Sequence, residues 1–339
     1  MVNNVASIPH ETMPDPAKLL ETRHLSKEFK GRKTLLNPHP KSVKAVADVS
    51  LTLKRNEVLG LVGESGCGKS TLGRTILRLI PATGGEVIYD GSNILTYGKE
   101  QMRQLRRRMQ IIFQDIYASL NPRMTVEELI RAPLDVYAVG SKAERRQKVL
   151  RIIDDVGLAK QHLMRFPHEF SGGQRQRIGF ARALIIEPEL VVCDEPVSAL
   201  DVSVRAQILN LMKRMQEKKG LSYLFISHDL SVVKHISDRI AVMYLGHIVE
   251  LTGSNTLYER PLHPYTVALL SAIPLPDPVT KRRRIILAGD LPNPYDPPTG
   301  CPFHTRCPKV QAVCRAENPP LCEKEPGHFV ACHFPGDTR

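Results

Sequence analysis

The sequence has no tryptophan, and only 5% of its 339 residues are aromatic. Its runs of three arginines at 106–108 and 282–284 lack the interleaved rings on which unpaired bases stack, which argues against a platform for single-stranded nucleic acid. Also missing are an apolar run long enough to cross a bilayer and, in residues 1–18, the basic-then-apolar pattern of a secretory signal. These absences predict a globular protein of the cytoplasm.

Length and charge set the next limits. A chain of 339 residues exceeds one compact domain, so we expect a large domain with a smaller appendage. The net charge of +12 would suit an anionic membrane surface or nucleic acid, and a solvated surface accounts for it equally well. Proline becomes frequent after a boundary near 258–264. We therefore expect a tail at 1–19, the large domain at 20–260 and a C-terminal region at 261–339.

Hydrophobic periodicity predicts an α/β fold. Val49, Leu51 and Leu53 alternate with polar residues, which indicates edge strands within 21–53, joined by a basic loop at 30–42. The apolar run at 58–62 is short enough for a fully buried parallel strand. Helical patterns separate the later strands, so we expect a mixed to parallel sheet with helices on its faces. Those later strands are expected at 190–193, 222–226 and 240–244.

A helical insertion is expected between 125 and 158. Charge density rises there, and apolar residues recur at helical spacing until Gly157, a typical residue for a helix end. The apolar positions are Val149, Ile152, Ile153 and Val156. This insertion would form the centre of a helical subdomain at about 120–185.

A glycine-rich segment follows the apolar run at 58–62. It matches Gly-x4-Gly-Lys-Ser, whose glycines let backbone N–H groups turn toward phosphates while the next helix points its positive dipole end at them. Lys69 would neutralise the β and γ oxygens, and Ser70 would ligate Mg²⁺. The phosphate-binding residues expected on this basis are Gly63, Glu64, Ser65, Gly66, Cys67, Gly68, Lys69, Ser70 and Thr71.

Two carboxylates, Asp194 and Glu195, end the apolar strand at 190–193. Such a pair often serves only solvation or helix capping. Downstream of a phosphate loop, it indicates hydrolysis: Asp194 would hold Mg²⁺ directly or through water, and Glu195 would accept a proton from the attacking water or orient it.

The segment 170–174 resembles the signature motif of ABC ATPases. A serine hydroxyl and two glycine amides at a helix start form an anion site, although a helix start of this kind can also lack a ligand. The resemblance implies a head-to-tail dimer, in which Ser171 and Gly173 contact the γ-phosphate of ATP on the partner's phosphate loop. The signature residues are Ser171, Gly172, Gly173 and Gln174.

Four further residues match the ABC pattern in its order along the chain. Gln114 corresponds to the Q-loop glutamine, which contacts Mg²⁺ or water and senses the transporter. His228 corresponds to the switch histidine on the γ-phosphate, and Asp201 to the D-loop that links both sites of the dimer. Phe29 sits where the family stacks an aromatic ring on adenine, although a lone phenylalanine is often only core.

The implied fold is a P-loop NTPase of the ABC cassette type. It would combine a RecA-like core with a mixed or parallel sheet, an antiparallel β subdomain and a helical subdomain. A small cysteine-rich extension would follow at the C-terminus.

Segments 117–123, 196–205 and 263–266 resemble the oligopeptide/dipeptide importer family. This resemblance implies an ATPase at the cytoplasmic face of the membrane, bound to two membrane permease subunits. It also implies a second ATP-binding subunit, more often a paralogue than an identical copy, and an extracytoplasmic solute-binding protein. Nucleic acid is not an expected partner. The transported solute stays open among peptides, nickel, glutathione and sugars.

A soluble ABC ATPase that acts on nucleic acid or ribosomes is the alternative. Repair members of that class interrupt the cassette with coiled coils or zinc insertions, and translation members carry two cassettes. The sequence contains neither feature.

Five cysteines crowd the last forty residues. In a reducing cytoplasm, such a cluster indicates metal ligation before disulfides, and four thiolates suit zinc or an iron–sulfur cluster equally. Free or buried thiols are the remaining reading. The family resemblance implies a 4Fe–4S cluster, with zinc as the alternative, on Cys301, Cys307, Cys314 and Cys332, and Cys322 as a bystander.

Overall fold

The computed structural model describes residues 17–31, 41–273, 285–287 and 289–336. Most of the expected tail at 1–19, most of the loop at 30–42 and the arginine run at 282–284 lie outside these residues. The strands are β1 (Lys18–Phe29), β2 (Val43–Lys54), β3 (Val58–Val62), β4 (Gly84–Tyr89), β5 (Ser92–Asn93), β6 (Met109–Ile112), β7 (Leu190–Asp194), β8 (Ser222–Ile226), β9 (Arg239–Tyr244), β10 (His247–Gly253), β11 (Cys322–Glu325) and β12 (His328–Val330).

Helices connect many of these strands. None of the helices of the described residues is both long and apolar enough to span a membrane. They are α1 (Lys69–Ile76), α2 (Lys99–Arg108), α3 (Ile116–Ser119), α4 (Val126–Val136), α5 (Lys142–Val156), α6 (Gly172–Leu184), α7 (Val202–Lys219), α8 (Leu230–Ile236), α9 (Ser254–Glu259), α10 (Pro264–Ser271) and α11 (Ala312–Ala316). Four of them, α3 to α6, follow one another between β6 and β7.

A smaller antiparallel sheet has the strand order β2-β1-β4-β5. Val49, Leu51 and Leu53 are buried as the alternation predicts. The expectation of two edge strands is wrong for β1, which lies between β2 and β4. Alternation reports that one face of a strand is buried, whereas the number of hydrogen-bonded neighbours depends on distant segments.

The larger sheet has the order β11-β12-β10-β9-β3-β8-β7-β6. Strands β6, β7, β8, β3 and β9 are parallel to one another. Their carboxyl ends therefore share one edge of the sheet, which is where open α/β sheets bind ligands. The phosphate loop, the strand-end carboxylates, Gln114 and His228 all follow these ends in sequence and so meet at that edge.

Both faces of the larger sheet are covered. In β3, Val58 and Val62 belong to the core shared with the helical subdomain, whereas Leu59 and Leu61 belong to the core shared with the antiparallel sheet. Every residue of β3 is buried, which confirms the prediction of a fully buried parallel strand.

The predicted helical insertion consists of α4 and α5. Thr125 caps α4 and Ser141 caps α5, each through a reciprocal pair of hydrogen bonds with a glutamate three residues later. Gly157 ends α5 in the left-handed region at φ 71°, as expected for a glycine at a helix end. The four predicted apolar positions are the buried residues of α5.

The C-terminal region extends the larger sheet. Strand β12 pairs with β10, with Val330 opposite Glu250 and Phe329 opposite Leu251. The carboxylate of Glu250 is fully buried and 2.7 Å from Nε2 of His328. It also accepts hydrogen bonds from the backbone N–H groups of Leu262 and His263. Hydrogen bonds therefore cross the position at which the sequence predicts a domain boundary.

Candidate functional site

The glycine-rich loop lies between β3 and α1. Gly63 has φ 155° and Gly68 has φ 108°, and a Cβ at either position would meet a backbone carbonyl oxygen at about 2 Å: Met243 O for Gly63 (2.1 Å) and Ala45 O for Gly68 (2.0 Å). Both conformation and space therefore require glycine. The loop is held against β9 on one side and β2 on the other, at the amino end of α1.

The ammonium group of Lys69 is turned into this loop. It donates hydrogen bonds to the carbonyl oxygens of Gly63 at 2.8 Å and Glu64 at 2.9 Å, and the residue is only 4% exposed. Ser70 donates to Oδ1 of Asp194 at 2.6 Å. The second oxygen of Asp194 is 3.2 Å from Nη2 of Arg74. The chain thus brings a hydroxyl and a carboxylate together beside the loop, a pair of oxygen ligands suited to Mg²⁺.

Glu195 connects Gln114 and His228, the other two predicted catalytic residues. Its Oε2 accepts a hydrogen bond from Nε2 of Gln114 at 2.9 Å, and its Oε1 is 3.0 Å from Nδ1 of His228. Its backbone lies in the left-handed region at φ 50°, which is strained for a residue with a Cβ. The backbone N–H of Glu195 donates to the carbonyl of Ile226 in β8, which holds this conformation.

The signature segment forms the amino end of α6. Ser171 is the N-cap and accepts from the N–H of Gln174, whose side chain accepts from the N–H of Ser171. Ser171 and Gly172 are exposed. A Cβ on Gly173 would come within 2.2 Å of Val204 in α7, so glycine is required there. Predicted as an anion site, this helix start faces solvent.

Asp201 caps α7 by accepting the N–H of Val204. This hydrogen bond, together with one from Ser203, lowers the pKa of the Asp201 carboxyl. Arg205 then connects two loops of the site, because it is 2.8 Å from Asp229, next to His228, and donates to the carbonyl of Leu200.

Phe29 is the last residue of β1 and lies opposite Val43. The residue is 43% exposed, and the ammonium of Lys27 is 4.8 Å from the ring centroid. One face of the ring is therefore next to a cation and the ring is open to solvent, unlike a ring that serves only the core.

The four cysteines expected to bind a cluster are electrostatic neighbours. Burial raises the pKa of Cys301 to about 11, and Cys332, Cys314 and Cys307 contribute to the rise. Burial also raises the pKa of Cys332 and of Cys307, with contributions from other members of the set. Cys322 is exposed at the start of β11.

Their arrangement does not form a metal site. Within the described ranges, no group of three or more histidine, cysteine, aspartate or glutamate side chains is arranged to hold a metal ion. The donor chemistry fits a thiolate-bound cluster, whereas the side-chain arrangement does not.

Sequence reasoning missed three residues that contact the site. Arg205 lies inside the segment 196–205. Tyr265, whose hydroxyl accepts the backbone N–H of Glu64 at 2.9 Å, lies inside the segment 263–266. Arg306 had no signal at all, although its guanidinium is 2.9 Å from the carboxylate of Glu64. Sequence motifs identify residues that are close in the chain, and these contacts join residues that are far apart in it.

Three features together define an ATPase of the ABC cassette class. The first is the phosphate loop, and the second is the strand-end carboxylate that contacts a glutamine and a histidine from neighbouring strand ends. The third is the separate Ser-Gly-Gly-Gln segment at the start of a helix. The model of the family described as ABC transporter matches residues 46–198. The one described as oligopeptide/dipeptide transporter, C-terminal region, matches residues 249–314.

Relatives match over nearly the whole chain. The putative oligopeptide transport ATP-binding protein YkfD of Bacillus subtilis is 54% identical over 319 residues, which cover 93% of this chain and 95% of the relative. The oligopeptide transport ATP-binding protein AppF of the same organism is 51% identical, with 95% of this chain and 99% of the relative covered. This chain therefore belongs to the ATP-binding proteins of ABC transporters that carry the oligopeptide/dipeptide C-terminal region. It is an ATPase, and its site fits ATP and Mg²⁺.

Solved structures agree on the fold. The ATP-binding cassette MJ0796, solved as a dimer in a post-hydrolysis state with ADP and phosphate, has a TM-score of 0.62 at 28% identity. The match covers 70% of this chain and 99% of that cassette. CbiO1 from Clostridium perfringens matches with the same TM-score at 23% identity, covering 72% of this chain and 91% of that one. The predicted cassette fold is confirmed.

Proposed function

We propose that this chain hydrolyses ATP to drive the import of oligopeptides, dipeptides or a related small solute through a membrane permease. The contact of both Gln114 and His228 with Glu195, at the sheet edge that carries the phosphate loop, is the observation that supports turnover most directly. The C-terminal match and the oligopeptide transport names of the relatives support the solute class. We also propose the division into 20–260 and 261–339 as functional units.

The loop residues 63–71 would hold the phosphates of ATP. Lys69 now donates to carbonyl oxygens of its own loop, and phosphate oxygens would replace these acceptors. Ser70 and Asp194 would hold Mg²⁺, and Gln114 would be a further ligand to it. The bound ion supplies charge neutralisation on the phosphates. The exposed ring of Phe29 would stack on adenine.

Glu195 is the residue we assign to the attacking water. Its carboxylate would accept the water proton or orient the water, while His228 would donate a hydrogen bond to the γ-phosphate. Both residues already share a hydrogen bond at 3.0 Å, so a small movement of the exposed His228 side chain would redirect it from carboxylate to phosphate.

The signature segment would complete the site of a second ATP-binding subunit. Ser171 and Gly172 are exposed at a helix start, and the side chains nearest to Gly172 and Gly173 are Leu200 and Val204 rather than phosphate-loop residues. A head-to-tail dimer would bring them to the partner's ATP, and Asp201 would lie at the joint. We propose a paralogue, rather than an identical copy, as this second ATP-binding subunit.

Two permease subunits are the proposed membrane partners, which would hold the chain at the cytoplasmic face. A groove of about 310 Å³ lies beside the segment that follows Gln114 in the chain, and its lining includes Tyr117, Leu120, Pro122 and Pro167. Tyr117 is 58% exposed. A coupling segment of a permease would fit there, and an extracytoplasmic binding protein would deliver the solute.

We further propose that Cys301, Cys307, Cys314 and Cys332 hold a 4Fe–4S cluster, with zinc as the alternative. The other three cysteines contribute to the raised pKa of the Cys301 thiol, which supports this proposal. The side-chain arrangement of the described residues does not support it. Iron, sulfide and zinc analysis of protein purified without oxygen tests it. About four irons and four sulfides per chain would support the cluster, and about one zinc would support the alternative. Protein that contains neither iron nor zinc would reject both proposals.

Uptake in reconstituted vesicles tests the transport function. The chain would be purified with its co-expressed permease, second ATPase and binding protein, and vesicles would be supplied with ATP and labelled peptides of two to five residues. Uptake that needs ATP and stops with Glu195→Gln is expected. ATP hydrolysis without uptake of any tested peptide would reject peptides as the solute.

A further inference from the structure

Glu64 places a negative charge within the phosphate loop. It is the second residue of the loop, and its side chain is 26% exposed. Its carbonyl oxygen accepts a hydrogen bond from the ammonium of Lys69 at 2.9 Å, so it lies next to the cation that faces phosphate. An unpaired carboxylate in this position would repel the triphosphate, because the interaction of charges is strong where water is partly excluded.

Arg306 of the C-terminal region pairs with this carboxylate. Its Nη1 is 2.9 Å from Oε2 and 3.2 Å from Oε1 of Glu64, and the arginine side chain is only 10% exposed. The pair is thus shielded from solvent far more than a surface ion pair, so salt screens it less. The two residues are 242 positions apart in the chain.

A second contact ties the same loop residue to the same region. The hydroxyl of Tyr265 in α10 accepts the backbone N–H of Glu64 at 2.9 Å. The ring of Phe303 is buried against Tyr265, with centroids 5.4 Å apart, and against Tyr244 at 5.3 Å. Phe303 also accepts the N–H of Arg306 at its carbonyl. This aromatic cluster fixes the turn from which Arg306 reaches the loop.

We propose that Arg306 is a positioning residue of the ATP site, which acts through Glu64 by neutralising the loop carboxylate and holding it against the C-terminal region. The C-terminal region is then part of the nucleotide site and sets the affinity for ATP. This inference rests on the proposed function of the loop as the ATP site.

The test is ATP affinity in a set of full-length variants. Arg306→Gln leaves the Glu64 carboxylate without its cation, so the Kd for ATP with Mg²⁺ in equilibrium dialysis is expected to rise about tenfold. Arg306→Lys keeps the charge and is expected to recover most of the affinity. The double variant Arg306→Gln with Glu64→Gln removes both charges and is expected to return the Kd to within about threefold of the parent.

In the assembled transporter, the same loss should affect KM rather than kcat. Arg306→Gln is expected to raise KM for ATP about tenfold and to change kcat less than about threefold, because Glu195 and His228 keep their contacts. Arg239→Gln is the matched control. It breaks another partly buried pair, with Glu57 at 3.1 Å, at the opposite end of β9 from the loop, and it should leave the Kd for ATP unchanged.

Lys69→Ala separates this inference from the proposed function. Retained ATP binding in Lys69→Ala would reject the loop as the ATP site, and with it the proposed function. Lost binding in Lys69→Ala, together with an unchanged Kd in Arg306→Gln, would overturn only the role of Arg306. A raised Kd that the double variant does not recover would also overturn it, because the effect would then be independent of Glu64.

Discussion

At the scale of single residues, Glu195 combines strain with two side-chain partners. A left-handed backbone costs about 1–3 kcal/mol for a residue with a Cβ, and it persists only where the surroundings impose it. Here the hydrogen bond to β8 and the contacts of Gln114 and His228 impose it. This backbone conformation places the carboxylate of Glu195 at the sheet edge where the phosphate loop lies.

The first prediction removes only the charge of this residue. Glu195→Gln keeps a side chain that can bond Gln114 and His228 but cannot accept the water proton, so kcat for ATP hydrolysis should fall by about 100-fold or more. ATP binding should be retained. Phosphate release in the assembled transporter measures the first effect, and equilibrium dialysis the second.

Glu187→Gln is a matched control, since Glu187 has a similar left-handed backbone at φ 56° and, among the described residues, its carboxylate forms an ion pair only with Lys148. It should hydrolyse ATP at the parental rate. Hydrolysis by Glu195→Gln within about threefold of that rate would remove Glu195 from the proposed mechanism.

The second prediction concerns the buried imidazole of His263. It is 1% exposed, its Nδ1 accepts the N–H of Tyr265, and burial lowers its pKa from 6.5 to about 4. His263 is therefore protonated below about pH 6.5 in the unfolded chain but only near pH 4 in the folded chain. The free energy of unfolding must fall as the pH drops from about 6.5 toward 4. The full loss is about 3 kcal/mol.

Urea denaturation at pH 7.5 and pH 5 measures this effect. His263→Asn keeps an acceptor for the helix start but cannot be protonated, so it should lose less stability between the two pH values than the parent. Glu250 and His328 face the same site and are present in both proteins, which makes the difference specific to His263. An equal loss in both proteins would contradict the assignment.

At the scale of elements, Glu250 holds the C-terminal region onto the larger sheet. Its buried carboxylate accepts from the segment before α10 and from β12, so one side chain connects three pieces of chain. Replacing one partner of a buried pair leaves the other groups without acceptors.

The third prediction is that Glu250→Ala lowers the free energy of unfolding by about 3–5 kcal/mol, measured by urea denaturation. The C-terminal region should also become sensitive to limited proteolysis after residue 260. Glu323→Ala offers the comparison, because Glu323 is exposed and its side chain accepts, within the described part of the chain, only the N–H of Gly327 in its own hairpin. It should cost less than about 1 kcal/mol. Equal costs would show that burial of the pair is not what stabilises the region.

At the scale of the whole molecule, the two halves of the proposed ATP site lie in different places. The phosphate loop follows β3, whereas Ser171 begins α6 and is exposed. A second subunit would join them, so a change at Ser171 should affect hydrolysis in the assembly without affecting ATP binding by the single chain.

The fourth prediction follows from this separation. Ser171→Arg should reduce ATP hydrolysis by the assembled transporter at least about tenfold, since a bulky cation would replace the hydroxyl at the joint. The isolated chain should bind ATP with an unchanged Kd. Ser141→Arg controls for the loss of a helix cap, because Ser141 caps α5 in the same manner, and such a cap contributes about 1 kcal/mol. Full hydrolysis by Ser171→Arg would reject the head-to-tail site.

The sequence predicted the large-scale fold from local patterns. The burial of every residue in β3 and the end of α5 at Gly157 followed from apolar periodicity and from glycine's freedom at positive φ. The interior position of β1 did not follow from the sequence, because the alternation of apolar and polar residues does not indicate how many strands pair with a given strand. Metal geometry at the cysteines did not follow either, since thiol spacing along a chain does not fix distances in space.

The sequence by itself determined the chemistry of the phosphate loop and the class of the protein. Those features are contiguous, and the backbone conformation of a short glycine-rich loop depends mainly on its own residues. Only the tertiary structure decided that β6, β7 and β8 bring Gln114, Glu195 and His228 together, and that Arg306 pairs with Glu64. Such pairs form because packing buries complementary charges from distant segments, and no sequence period records which segments will meet.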